Sequence, residues 1–179
     1  YGSTEYMSPL KSVVGKFESG NLGKPNSNNE LKVVDIESGA ALGPMEKGEI
    51  CFRGPNCFVG YVKNETIYRS VVDQDGWYHT GDLGYCDSSG CMFVVGRIKQ
   101  MIEFRGFRVS PAEVETFLLT HEAIKSACVV GVRHATEGEH TRAYVQLWPG
   151  KEQHVTEQDI VRYAQGLLYM VALPNAPTN

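Results

Sequence analysis

Apolar residues recur in short, β-branched or aromatic runs in the first half of the chain. Three runs share this strand-favouring composition: Leu31–Ile36, Gly48–Arg53 and Cys91–Val95. Turns rich in Ser and Gly separate them, at Glu37–Gly39 and Asp87–Gly90. Residues 6–29 contain many Ser, Asn, Gly and Pro, which predicts a loop with little regular structure. Short strands joined by such turns indicate a small antiparallel barrel.

The pattern becomes a mixture of strands and helices in the second half. Met101–Phe104 and Phe107–Val109 flank Arg105-Gly106, which predicts a hairpin tip where glycine relieves the steric cost of a positive φ. Ser110 predicts a helix start, since Glu113 completes a Ser-x-x-Glu capping box. Thr156 predicts a second helix start, and three further runs predict strands: Ser126–Val132, Ala143–Trp148 and Leu167–Ala172.

The predicted fold class is therefore α+β, with a small antiparallel β-barrel-like subdomain followed by a separate α+β C-terminal domain. The formal net charge of −4 argues against a nucleic-acid binder, which should carry a basic face. No apolar run approaches the roughly 20 residues that a bilayer span needs. The five cysteines are odd in number and lack the paired spacing of a zinc ribbon, so we expect buried, reduced thiols in an intracellular protein.

Four short blocks carry most of the functional information. In chain order they read YGSTE at Tyr1–Glu5, GWYHTGDLG at Gly76–Gly84, GRIK at Gly96–Lys99 and RGFRVSPAEVE at Arg105–Glu115. Their content and order resemble the signatures of the adenylate-forming ligases, a family that includes acyl-CoA synthetases, 4-coumarate:CoA ligases and beetle luciferases.

The resemblance implies a C-terminal fragment of a longer chain. The family has a phosphate loop upstream of the YGSTE block and an adenylation lysine directly after a run like Leu173–Asn179. Residues 1–98 then correspond to the C-terminal part of the large AMP-binding domain, and residues 99–179 to the lid domain, with a hinge near Lys99. Relatives also carry a loop near Gly166-Leu167 that is shorter here. The fragment alone is expected to be inactive.

The activity that the resemblance implies is ATP-dependent activation of a small carboxylic acid to an acyl-adenylate, followed by transfer to CoA. The implied cofactors are ATP, Mg²⁺ and CoA, and the implied compartment is the cytoplasm or the peroxisome. Two alternatives stay open: a luciferase-like mono-oxygenase that uses its own adenylate, and a non-catalytic nucleotide-binding homologue.

Asp82 and Arg97 are the candidate ribose and phosphate contacts. An ionised carboxylate can accept hydrogen bonds from both ribose hydroxyls, and the resemblance gives this role to Asp82. The alternative is a turn aspartate that bonds its own backbone. Arg97 carries a planar fork of donors that suits a ribose oxygen or a phosphate, with a domain-edge salt bridge as the alternative.

The remaining candidates of the first block follow from the resemblance. Tyr1 would stack on adenine, and Thr4 would bond the α-phosphate. Glu5 would supply a hard oxygen ligand to Mg²⁺. Thr4, Glu5 and Arg97 are thus the catalytic candidates.

Lys99 and Gly106 are the candidates of the C-terminal domain. Lys99 is the implied hinge, which needs backbone freedom more than a particular side chain, with a solvated lysine between two strands as the alternative. Gly106 would leave room for the pantetheine of CoA, or be an ordinary turn glycine. Relatives commonly have lysine where this chain has Glu103, so a carboxylate there would oppose the phosphates of CoA unless Arg105 or Arg108 compensates.

The histidines and the aromatic residues Trp77 and Tyr78 are not assigned catalytic or ligand-binding roles. His79 is expected to pack or hydrogen-bond, because adenylation starts from an ionised acid and needs no general base. Trp77 and Tyr78 are expected in the core. The other four histidines lack ligand spacing and are assigned no role: His121, His134, His140 and His154.

Overall fold

The computed structural model describes residues 1–13, 15, 20–151 and 154–172, without the side chains of residues 166–172. The chain divides into two compact units, Tyr1–Lys99 and Gln100–Asn179. The run Leu173–Asn179 lies outside the described residues.

The first unit is a curled antiparallel sheet that forms a half-barrel. Its strands are β1 Leu10–Lys11, β2 Asn21–Pro25, β3 Glu30–Val34, β4 Gly48–Arg53, β5 Tyr78–Cys86 and β6 Met92–Arg97, and a helix, α1 Glu65–Val71, precedes β5. The strand order is β1-β2-β6-β5-β4-β3, which places β5 between β4 and β6. Tyr6, Ile50, Phe52 and Met92 are buried in its core, so the central strands are anchored on the apolar side of the sheet.

The second unit packs two helices with a four-stranded antiparallel sheet. A short 3₁₀ turn, Ile98–Gln100, leads from the first unit into it. Its elements are β7 Ile102–Phe104, β8 Phe107–Val109, α2 Pro111–Leu118, β9 Ile124–His134, β10 Gly138–Leu147 and α3 Glu157–Ala172, with strand order β8-β7-β10-β9. Val114 and Leu118 of α2 pack with Ile102, Ile124 and Val129 of the sheet to form the core.

Both predicted helix starts are confirmed. The side-chain oxygen of Ser110 accepts from the backbone N–H of Glu113 at 3.3 Å, with Pro111 at the first helical turn. Thr156 accepts in the same way from the N–H of Asp159 at 3.3 Å. The α+β class and the antiparallel half-barrel are also confirmed.

Two predicted segments are wrong, and two elements were missed. Residues 6–29 contain β1 and β2, because backbone pairing of β2 with β6, and of β1 with β2, imposes strand geometry on a polar segment. Leu167–Ala172 is not a strand but the end of α3, which runs unbroken through Gly166-Leu167. The prediction failed because the sequence pattern of a short apolar run does not distinguish a strand from a helix, and Leu, Met and Ala favour helix. Strand β5 was missed because Gly81 and Gly84 interrupt its pattern, and α1 was missed as well.

The burial of the cysteines and the character of the helices can also be compared with the expectations from the sequence. All five cysteines are free, and Cys51 and Cys91 are buried as expected. Cys128 is exposed, which corrects the expectation of burial for that residue. No helix in the described part of the chain has the length and apolar character needed to span a membrane.

Candidate functional site

Asp82 lies at the centre of the candidate site, in β5 and not in a turn. It is only 6% exposed and faces Arg97 of β6 as its direct cross-strand partner. The Nε of Arg97 donates to Oδ1 of Asp82 at 2.8 Å, and the hydroxyl of Tyr1 donates to Oδ2. Both carboxylate oxygens are thus engaged with side chains from other parts of the unit, so the alternative of a turn aspartate that bonds its own backbone is wrong.

The backbone around Asp82 is held in an irregular conformation. Gly81 has φ +70°, a left-handed value that glycine adopts at low cost. The N–H of Asp82 donates to Oγ1 of Thr80 at 3.0 Å, and that hydroxyl donates to the carbonyl of Ile50 at 2.8 Å. The β5–β6 register shifts just beyond, between Leu83 and Gly84. This network fixes the direction in which the Asp82 side chain leaves the sheet.

A carboxylate and an imidazole support the same stretch of β5. Oε1 of Glu49 accepts the N–H of Gly81 at 3.0 Å, and Oε2 lies 2.8 Å from Nδ1 of His79. The other ring nitrogen of His79 lies 3.6 Å from Asp73. Cys51 Sγ is 3.5 Å from Nδ1, and burial raises the pKa of this thiol to about 12, so it is protonated at neutral pH. His79 is therefore a hydrogen-bonding residue, as predicted.

Tyr1 is a partly exposed residue whose hydroxyl is held by Asp82. The whole residue is 40% exposed, and the centroid of its ring lies 5.9 Å from that of Phe52 at a tilt of 41°. Burial of the hydroxyl, followed by its hydrogen bond to Asp82, raises the pKa of Tyr1 well above its usual range. Tyr1 is accordingly a neutral donor at Asp82 in a partly exposed position.

Glu5 is an ionised carboxylate near this group. The Tyr61 hydroxyl donates to its Oε1 at 2.9 Å, and this bond is the main cause that lowers the pKa of Glu5, with a smaller contribution from the charge of Arg97. Thr4 is exposed beside it. An ionised, accessible carboxylate fits Mg²⁺, which is usually held by one or two carboxylates together with substrate phosphates.

The candidates of the second unit lie at the β7–β8 hairpin. Arg105 and Gly106 form its tip with φ +49° and +82°, both left-handed, as a tight hairpin turn requires. Apart from Gly106 itself and its two chain neighbours, no heavy atom of the described residues lies within 4 Å of the position that a Cβ on Gly106 would occupy.

Glu103 is paired across the same hairpin. It faces Arg108 in the ladder, and its Oε1 lies 3.6 Å from the Nε of Arg108. Arg105 is directed elsewhere and forms an ion pair with Glu137. Of the two arginines considered as compensating for Glu103, Arg108 is thus the partner.

The structure brings together Tyr1, Asp82 and Arg97 by direct hydrogen bonds. Two supporting residues, Glu49 and Tyr61, were missed in the sequence. The contacts of Glu49 with His79 and Gly81 could have been found only from the β4–β5 register. That register places Cys51 opposite His79 and so brings the neighbouring Glu49 close to this part of β5. Lys99 is exposed in the 3₁₀ turn at the end of the first unit.

Two protein-family models match this chain, one before and one after the segment that contains Asp82 and Arg97. The family described as AMP-binding enzyme matches residues 1–62, and the AMP-binding enzyme C-terminal domain matches residues 113–176. Asp82, Arg97, Lys99 and Gly106 lie between the two matched ranges.

Three individual proteins illustrate the similarity. The chain is 38% identical over 191 aligned positions to a probable 4-coumarate–CoA ligase 2 of Dictyostelium discoideum, covering 99% of this chain and 34% of the relative. It is 41% identical over 164 positions to a luciferin 4-monooxygenase of Photinus pyralis, covering 91% and 30%. The crystal structure of ATP-bound MatB from Rhodopseudomonas palustris superimposes with a TM-score of 0.77 at 31% identity, covering 82% and 29%.

The two curated relatives are matched over 99% and 91% of this chain. The chain spans about a third of the length of the curated relatives it matches. The matched families, the named relatives and the four sequence blocks lead to one conclusion: the chain belongs to the adenylate-forming, AMP-binding enzyme family.

Proposed function

We propose that the complete protein activates a small carboxylic acid with ATP to an acyl-adenylate and then transfers the acyl group to CoA. The observation that carries this proposal is the group formed by Asp82, Arg97 and Tyr1. A buried carboxylate with two engaged oxygens, beside an arginine and an aromatic ring, offers the donors and acceptors that a ribose and a nucleobase require. The 4-coumarate–CoA ligase relatives support the same reaction class.

Nucleotide binding would exchange partners at Asp82. Each oxygen of the Asp82 carboxylate now accepts one bond, Oδ1 from Arg97 and Oδ2 from Tyr1. Since each carboxylate oxygen has two lone pairs, Oδ1 would accept one ribose hydroxyl beside Arg97, and Oδ2 would accept the other in place of Tyr1. The Tyr1 hydroxyl would leave Oδ2 and its ring would remain as a stacking surface for adenine. The Arg97 side chain is 60% exposed, so it has donors to offer to a ribose oxygen or the α-phosphate while it keeps the Nε bond to Asp82.

Glu5 and Thr4 would act at the phosphates. Glu5 is ionised and would ligate Mg²⁺, and Thr4 would donate its hydroxyl to the α-phosphate. When bound, Mg²⁺ neutralises phosphate charge that would otherwise repel the attacking carboxylate. Positioning and charge neutralisation are the main needs of this reaction, and these residues provide them without a general base.

The second unit would serve the transfer to CoA. We assign residues 1–98 to the C-terminal part of the large domain and residues 99–179 to the lid, with the hinge near Lys99, a boundary supported by the division into units after Lys99. The open space around the Cβ position of Gly106 favours a role in admitting pantetheine. Glu103 places a carboxylate on the same hairpin, which Arg108 offsets in part.

The experiment is product analysis by mass spectrometry. The complete protein is incubated with ATP, Mg²⁺ and a panel of aromatic and aliphatic acids, first without and then with CoA. The proposal predicts an acyl-adenylate with at least one acid, and a CoA thioester only when CoA is added. ATP binding without any adenylate would indicate a non-catalytic nucleotide-binding homologue instead.

A second candidate function is a luciferase-like mono-oxygenase that oxidises its own adenylate. The 41% identity to a luciferin 4-monooxygenase is the observation that favours it. Oxygen consumption that depends on the acid and on ATP would support this function, and its absence alongside thioester formation would exclude it.

A further inference from the structure

A cluster of two histidines and one glutamate lies at the closed end of the β9–β10 hairpin. The turn joins His134 to Gly138, which are opposite each other in the ladder, and His140 is two residues further along β10. Gly138 has φ +84°, and a Cβ there would lie 2.4 Å from the carbonyl oxygen of Glu103. The tight turn therefore requires glycine, and it fixes the backbone from which the three side chains project.

The ligand-bearing atoms of this cluster converge on one carboxylate oxygen. Oε2 of Glu137 lies 2.7 Å from Nε2 of His140 and 3.8 Å from Nδ1 of His134. The two imidazole rings are stacked, with centroids 4.2 Å apart and an angle of 17° between their planes. All three ligand atoms lie within 4.8 Å of one another.

We propose that His134, Glu137 and His140 form a binding site for a late divalent transition-metal ion of the Zn²⁺, Ni²⁺ or Cu²⁺ type. Two imidazole nitrogens and a carboxylate oxygen are a ligand set that such ions prefer over Mg²⁺ or Ca²⁺. Tetrahedral ligands at 2.0–2.1 Å from Zn²⁺ are roughly 3.3 Å apart, and the distances in the cluster bracket this value.

Binding requires one imidazole to turn. Nitrogen lone pairs in two nearly parallel rings do not point at a common position, so one ring must rotate about its Cβ–Cγ bond. The side chains of His134 and His140 are 43% and 47% exposed, which leaves room for that rotation. The torsion itself has a broad energy profile. Three protein ligands leave a fourth position to water or to a further ligand.

Arg105 orients the carboxylate of this site. Its guanidinium donates to Oε1 of Glu137, with Nε at 2.7 Å, while Oε2 faces the imidazoles. Its backbone N–H also donates to the carbonyl of Glu137 at 2.9 Å. Outer hydrogen bonds of this kind hold a metal-ligating carboxylate in place. The nearby positive charge lowers cation affinity, so the site is expected to be weaker than a buried zinc site.

The test is a metal titration of protein without an affinity tag. Isothermal titration calorimetry with Zn²⁺ and with Ni²⁺ should give one ion per chain for the wild type. His134→Gln, His140→Gln and Glu137→Gln should each raise the dissociation constant at least tenfold. His154→Gln changes a histidine in another loop of the same unit and should leave it unchanged. Equal binding by the wild type and the His134→Gln/His140→Gln double variant would overturn the proposal.

A second measurement uses only the wild-type protein, so its result does not depend on whether the variants fold. The imidazole NMR signals of two histidines should shift together during Zn²⁺ addition, and assignment should identify them as His134 and His140. Shifts in His121 or His154 alone, or no shift at stoichiometric Zn²⁺, would also overturn the site. Because this inference rests on the hairpin and not on the nucleotide site, its failure leaves the proposed function untouched.

Discussion

Asp82 and Arg97 are direct partners across the β5–β6 ladder, and the Nε of Arg97 lies 2.8 Å from Oδ1 of the Asp82 carboxylate. Because Asp82 is buried and Arg97 is exposed, the pair connects the interior of the half-barrel to its surface. A nucleotide that binds here meets a carboxylate already oriented by an arginine, so little reorganisation is needed on that side.

Removing the carboxylate should weaken nucleotide binding. In the complete protein, Asp82→Ala leaves two ribose hydroxyls without acceptors, at a cost of about 1–3 kcal/mol each. We expect at least a tenfold rise in the ATP dissociation constant, measured by calorimetry. Asp75→Ala, at an exposed position of the same unit, is the matched control and should leave ATP affinity unchanged. Unchanged affinity in Asp82→Ala would assign Asp82 a structural role only.

Tyr1 provides a test of the partner exchange at Oδ2. Tyr1→Phe keeps the ring but removes the hydroxyl that a ribose hydroxyl must displace, so ATP should bind a few-fold more tightly. Tyr1→Ala removes the stacking surface as well and should bind ATP more weakly than wild type. If both variants weaken ATP binding to the same degree, the hydroxyl contributes to the bound state and does not compete with the ribose.

Glu5 should control the Mg²⁺ requirement. Its pKa is lowered, chiefly by the hydrogen bond from the Tyr61 hydroxyl, so the carboxylate stays ionised through the usual glutamate range and loses its charge only as pH falls through the lowered value. Protonation of Glu5 should therefore contribute no change in the Mg²⁺ requirement for adenylation between about pH 6 and pH 8. Glu5→Gln should need a several-fold higher Mg²⁺ concentration for half-maximal rate, and Glu65→Gln, at an exposed helix position, should not.

Glu103 should separate the two half-reactions. Glu103→Lys is expected to speed thioester formation and to leave pyrophosphate exchange nearly unchanged, because only CoA transfer brings additional phosphates to the hairpin. The substitution also places a lysine opposite Arg108, so Glu103→Gln is the companion variant that removes the charge without repulsion. Equal effects on both half-reactions, or on neither, would remove Glu103 from the thioester site.

The members of the candidate site could be predicted from the sequence, but their contacts could not. Asp82 and Arg97 stand in short motifs, whereas their pairing depends on the register of β5, a strand whose glycines conceal its pattern. The support from Glu49 to Gly81 has the same origin, since it crosses from β4 to β5. Local signals were sufficient where structure is local, as at the cap of Ser110.

The contacts within the cluster of His134, Glu137 and His140 also could not be predicted from the sequence. His134 and His140 were assigned no role because their linear spacing is not that of a familiar metal motif. A tight turn at Gly138 brings them to one carboxylate, and only the hairpin register reveals it.

The prediction of Leu167–Ala172 as a strand failed for a different reason. A short apolar run shows neither the two-residue period of a strand nor the 3.6-residue period of a helix, and the structure places these residues in α3.

The most direct measurement of the central claim is acid-dependent ATP–pyrophosphate exchange by the complete protein, with wild type, Asp82→Ala and Asp75→Ala compared at equal concentration. We predict exchange by the wild type with at least one carboxylic acid, exchange at the same rate by Asp75→Ala, and at least a tenfold loss in Asp82→Ala at subsaturating ATP. ATP binding by the wild type without exchange in the presence of any acid would contradict the proposal that this protein forms an acyl-adenylate.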